Sequence, residues 1–170
     1  MPAKVISAIN SDGTVLTDSA FIDTQRVRCR ADASSRKHAL EQLSQLLADG
    51  PSGLSAAEIF SSLNQRERLG STCLGNGVAL PHCRLPNLTA PVAALLLLNE
   101  PVDFDGEDSD VRVVLGVLLP ENDEHRELAP LARALRAKNK LSALLNAADA
   151  RAAAAIVNAE ATEGTDNAEQ

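Results

Sequence analysis

The sequence predicts an α/β sandwich, a small sheet covered by helices. Three observations predict it. Two short apolar runs, "PVAALLLLNE" (91–100) and "VRVVLGVLLP" (111–120), have the length and Val/Leu content of buried strands. Two capped amphipathic stretches precede them, and further helical pieces follow. Apolar residues make up 45% of the 170 residues, enough for the core of one domain, while aromatics are only 2%, so that core must be Leu, Val, Ile and Ala.

The elements follow in order. Residues 1–15 show no clear period and read as an N-terminal extension, with 16–158 as the domain proper. "RVRCRA" (26–31) alternates apolar and basic residues, which suits a half-buried strand. "SSRKHALEQLSQLLADG" (34–50) reads as a helix capped by Ser34 or Ser35 and ended by Gly50-Pro51. Ala39, Leu40, Leu43, Leu46 and Leu47 form its apolar stripe, and His38 is expected mid-helix on the surface. "SAAEIFSSLNQRERLG" (55–70) opens with Ser55-x-x-Glu58, a capping box, and buries Ile59, Phe60 and Leu63. Between the two apolar runs, "DFDGEDSD" (103–110) reads as a solvated turn; it lacks the glycine position and closing glutamate of a calcium loop. A helix is expected from about Asn122, with a kink at Pro130. "KLSALLN" and "ADARAAAAIVNA" continue the helical part, and 159–170 reads as a disordered tail.

Composition excludes several classes. A net charge of −7 and the absence of Trp and Tyr argue against nucleic-acid binding, which needs phosphate neutralisation or stacking platforms. The longest apolar run, "APVAALLLL", is too short to span a bilayer, and the N-terminus lacks the apolar segment of a signal peptide. Three cysteines without CxxC spacing read as reduced thiols, so the expected location is the cytoplasm.

One stretch asks for a function. "RERLGSTCLGNGVALPH" (66–82) packs arginines, a glycine-rich turn and one histidine behind a short apolar anchor. Pro81 fixes the backbone before His82, and the ring is either a structural histidine at a strand end or a presented nucleophile. Ser71, Thr72, Gly75, Asn76 and Gly77 offer hydroxyls, an amide and backbone N–H groups, either to an anion or to an ordinary turn. Neither a P-loop nor a dinucleotide fingerprint fits the spacing. His125 in "ENDEHREL" falls in a first helical turn, where the dipole favours a neutral ring; it is a hydrogen-bond donor to an incoming phosphoryl oxygen or a surface histidine. A zinc site from His82, Cys83, Cys73 and His125 fits no usual ligand pattern, because Cys83 would point opposite to His82. No metal and no cofactor are expected.

The segment 66–82 resembles the signature of the IIA domains of the bacterial phosphoenolpyruvate-dependent phosphotransferase system, of the mannitol, fructose and nitrogen-regulatory type. "SSRKHALEQLSQLLA", "PVDFDGEDSDVRVVLGVLLP" and "EHRELAPLARAL" extend the likeness over roughly residues 15–155. The resemblance implies a small mixed β-sheet flanked by helices on both faces. It implies that His82 is phosphorylated, as a tele-phosphohistidine, by an HPr-type phosphocarrier such as its nitrogen-branch counterpart NPr. It implies that Arg66 is the active-site arginine and His125 a second, unphosphorylated histidine. A nitrogen-regulatory member would act on potassium transport or sensor-kinase components, and a sugar-specific one would pass phosphate to a IIB domain. A binding module that has lost transfer is the third alternative. Cys73 and Cys83 stand where the family has small residues, and Cys83 beside the nucleophile is expected to make transfer sensitive to oxidation.

Overall fold

The computed structural model describes residues 6–9, 15–17, 21–86, 88–104, 110–122 and 128–166; of 6–9, 15–17, 138 and 160–166 it describes the backbone alone. Strands Ile6–Ile9 (β1) and Val15–Thr17 (β2) form a separate antiparallel hairpin. The main sheet has six strands. Ile22–Ala31 (β3) lies parallel to Val92–Asp103 (β7), which runs antiparallel to Asp110–Pro120 (β8). The far side of β8 is lined by two short parallel strands in succession, Val78–Ala79 (β5) and His82–Leu85 (β6). Cys73–Gly75 (β4) closes a hairpin with β5. The sheet is therefore mixed, as expected.

The two central strands are apolar on both faces, and their period of two sorts the core into two layers. Val92, Ala94, Leu96 and Leu98 of β7 pack under helices Arg36–Ala48 (α1) and Ala56–Leu69 (α2). Ala93, Leu95 and Leu97 pack on the opposite face, under Leu128–Leu135 (α3), Lys138–Leu145 (α4) and Ala150–Asp166 (α5). Helices thus cover both faces.

Local chemistry sets the helix ends. Ser35 caps α1, its Oγ accepting from His38 N–H at 3.1 Å. His38 lies in the first turn and is exposed; its Nδ1 accepts from Ser34 N–H at 3.2 Å. Both arms of the Ser55/Glu58 capping box are present, at 3.2 and 2.8 Å. Asn122 stands in a turn and α3 is described from Leu128; the expected helix start falls at 123–127, outside the described residues. One difference from expectation concerns the C-terminal end. The tail expected from 159 is helical as far as Asp166. Its Ala and Glu residues are strong helix formers, and the start of the helix is clamped by packing.

That clamp includes a contact across most of the chain. Asn158 of α5 accepts from Ile22 N–H at 2.8 Å and donates to Ile22 O at 3.1 Å. Its amide does for the edge strand β3 what a neighbouring strand would do.

Candidate phosphoryl-acceptor site

β5 and β6 run along the same side of β8, and only Leu80-Pro81 keeps them from being one strand. Pro81 has no N–H to give the ladder, although its carbonyl still accepts from Val117 N–H at 2.9 Å. The Leu80 peptide turns out of the ladder. Its N–H donates to Thr72 O at 3.0 Å, and its carbonyl lies 2.8 Å from His82 Nδ1. A carbonyl only accepts, so Nδ1 carries the proton and the lone pair of the neutral ring is on Nε2. The strand break therefore selects the nitrogen that can act as a nucleophile.

The alternation of β6 does the rest. Cys83 and Leu85 point into the α1–α2 core, while His82 is half-buried and Arg84 exposed on the other face. Arg84 was not singled out by the sequence reading, although a period-two reading of "PHCRL" puts it on the face of His82. Cys83 is only 7% exposed, and burial pushes its thiol up to about 11. A thiol so placed is seldom a thiolate at neutral pH, and the thiolate is the form that peroxide attacks. Burial of the thiol counts against oxidation-sensitive transfer through Cys83.

Arg66 is in the last turn of α2, the helix that packs against β6. It is partly exposed, and one terminal nitrogen donates to Gly70 O at 3.0 Å. The next residue, Glu67, is buried at 4% exposure and takes two bonds from Thr72: from its N–H at 3.1 Å and its hydroxyl at 2.6 Å. The sequence analysis assigns Glu67 no role. Its neighbours Leu63 and Ile59, four and eight positions back, are the signal that it faces inward.

The anion-pocket candidates separate. Thr72 is buried, and its hydroxyl serves Glu67. Ser71 is exposed and accepts from Cys73 N–H at 3.1 Å. Gly75-Asn76-Gly77 form the tight β4–β5 turn, with φ of +88°, +56° and +85°, conformations that suit Gly and Asn. That turn docks beside the end of α3: Asn76 Nδ2 donates to Arg136 O at 3.0 Å, and Arg136 Nε donates to Leu74 O at 3.1 Å. His125 lies outside the described residues. A groove of about 840 Å³ opens between the start of α1, α2 and the end of β7, but His82 is not among its lining residues. The half-buried ring sits on β6, at the edge of the sheet.

A mixed sheet between two helical layers, with a tautomer-fixed histidine on a broken edge strand, defines a IIA-type fold. The chain belongs to the family described as "Phosphoenolpyruvate-dependent sugar phosphotransferase system, EIIA 2", matched over residues 20–160. It is 41% identical to the nitrogen regulatory protein of Pseudomonas aeruginosa over 120 residues, 69% of this chain and 72% of that protein. Among solved structures it is similar to the nitrogen regulatory protein IIA-Ntr of Neisseria meningitidis, with a TM-score of 0.75 and 33% identity, covering 82% of this chain and 97% of that one. The Escherichia coli mannitol IIA enzyme, solved in complex with phosphorylated IIB, shares the fold at a TM-score of 0.67 and 19% identity, over 80% of this chain and 96% of the other.

Proposed function

We propose that this chain is a cytoplasmic phosphocarrier and that His82 Nε2 accepts a phosphoryl group from an HPr-type phosphohistidine protein such as NPr. The observation that carries the proposal is the 2.8 Å contact of His82 Nδ1 with Leu80 O, which leaves the lone pair on Nε2. In the transfer, Nε2 attacks phosphorus as the donor's N–P bond breaks, and Nδ1 keeps its proton. The positive charge on the new phosphoimidazole is then shared with a carbonyl dipole already in place. No metal or cofactor takes part, because donor and acceptor are both imidazoles.

Arg66 supplies a planar set of N–H donors suited to phosphoryl oxygens, only one of them committed to Gly70 among the described residues. His125 is proposed as a further donor to the same oxygens. Ser71 and the backbone around 71–77 remain candidate anion contacts. The relatives named nitrogen regulatory protein favour an output in nitrogen and potassium metabolism, through binding to potassium-transport or sensor-kinase components that depends on phosphorylation. The fold shared with mannitol IIA supports a second reading, transfer onward to a IIB domain.

The test is uptake of phosphate. With phosphoenolpyruvate, enzyme I and an HPr-type carrier, the chain should gain an acid-labile, base-stable phosphate. His82→Ala should gain none, and Arg66→Ala should gain it slowly without loss of fold. A wild-type chain that stays unmodified refutes the reading. Purified IIB domains that drain the label from the phosphorylated chain would place it in sugar transfer.

A further inference from the structure

Glu67 is a buried carboxylate on which the transfer chemistry makes no direct demand. Its position nonetheless connects the two halves of the site. One residue before it in α2 is Arg66; across the turn, its oxygens hold Thr72 at 3.1 and 2.6 Å. Thr72 O accepts from Leu80 N–H at 3.0 Å, and Leu80 O meets His82 Nδ1 at 2.8 Å. The bonds run through two residues: Thr72 joins the carboxylate to Leu80, and Leu80 joins Thr72 to the imidazole, each by its N–H on one side and its carbonyl on the other.

We propose that Glu67 is a positioning residue for His82: through Thr72 and Leu80 it fixes the tautomer of the ring and its register against Arg66. The inference rests on the phosphocarrier reading for its kinetic consequence, but not for its structural one. Two physical facts support it. Leu80 lies at the break between β5 and β6, so its peptide is not held by pairing with β8 and depends on Thr72. A misplacement of about an ångström at a reacting group costs on the order of a hundredfold in rate. Glu67 also lies one residue from Arg66, whose guanidinium is tied to Gly70 O in the same turn. A single anchor thus sets the end of α2 and the loop that carries the Leu80 contact.

The experiment uses the full chain and three variants. Glu67→Gln presents an NH₂ to donors that need acceptors. Thr72→Val removes the hydroxyl and keeps the shape; Thr72→Ser keeps the hydroxyl. Two quantities are read: the rate of phosphoryl uptake from an HPr-type donor, and the ¹⁵N shifts of the His82 ring, which report which nitrogen holds the proton. Glu67→Gln should slow uptake about tenfold or more and raise the Nε2–H tautomer, Thr72→Val should do the same to a smaller degree, and Thr72→Ser should restore wild-type values. Folded Glu67→Gln with the wild-type rate and wild-type ring shifts overturns the proposal. If Glu67→Gln does not fold, Thr72→Val and Thr72→Ser decide: equal rates and equal shifts in that pair overturn it. If the wild type takes up no phosphate, the phosphocarrier reading fails, and the ring shifts still decide the role of Glu67.

Discussion

Gly116→Ala is the sharpest test of how the two layers meet. Gly116 lies in β8 opposite Ala94 of β7, and Leu43 of α1, with no exposure, drops into the slot between them. A methyl group at 116 would meet Leu43 Cδ2 closest of all, with Cγ at 2.8 Å and Cδ1 at 3.1 Å. Carbon atoms prefer roughly 3.5–4.0 Å, so the leucine must change rotamer or the helix must lift by roughly an ångström or more. Overpacking of this kind costs about 1–3 kcal/mol. The gain from removing a strand glycine, about 0.5–1 kcal/mol, offsets part of it. A net loss of about 1–2 kcal/mol corresponds to roughly 2–8 °C in Tm for a domain of this size. Thermal unfolding followed by circular dichroism measures it. Leu43→Ala alone should cost about 2–5 kcal/mol, and the double variant should cost clearly less than the sum, because the new methyl enters the space that the leucine left. A Gly116→Ala chain as stable as the wild type, or strict additivity in the double variant, refutes the packing argument.

Other substitutions probe separate contacts. Asn158→Ala removes both bonds to Ile22 and should cost about 1–3 kcal/mol in chemical denaturation, with faster amide exchange at Ile22. The Ser55 N–H and hydroxyl lower the Glu58 carboxyl below its ordinary 4.5. The capping box therefore contributes fully above that pH and is lost as pH falls through the folded value. Glu58→Gln should accordingly lower Tm at pH 7 and narrow its gap to the wild type in acid. A thiol reagent at pH 7.5 should modify Cys29 and Cys73, which are partly exposed, well before buried Cys83, and peroxide should leave phosphoryl uptake intact. Arg84→Ala should slow uptake severalfold, since Arg84 is exposed on the same strand face as His82.

Much of the fold was legible because it is written in local patterns. The apolar runs became β7 and β8, and the Ser55-x-x-Glu58 spacing became a closed capping box. Pro81 marked the strand break, and the opposite direction of Cys83 follows from alternation alone. What escaped the sequence depends on contacts between distant residues. Nothing near Asn158 says that it will pair with Ile22. Glu67 looks like any charge at a helix end until Thr72 is placed across the turn. The thiol of Cys83 could be given a direction but not a depth, and depth decides its chemistry. Gly-Asn-Gly suits both an anion cradle and an ordinary turn, so the sequence leaves the two open, and the docking of Asn76 on Arg136 O was out of reach.

The most direct measurement is the identity of the phosphorylated atom. The chain is labelled from phosphoenolpyruvate through enzyme I and an HPr-type carrier, and ³¹P and ¹⁵N spectra locate the phosphoryl group. It should sit on Nε2 of His82, with Nδ1 still protonated towards Leu80 O. Phosphate on Nδ1, on another residue, or undiminished in His82→Ala would contradict the account.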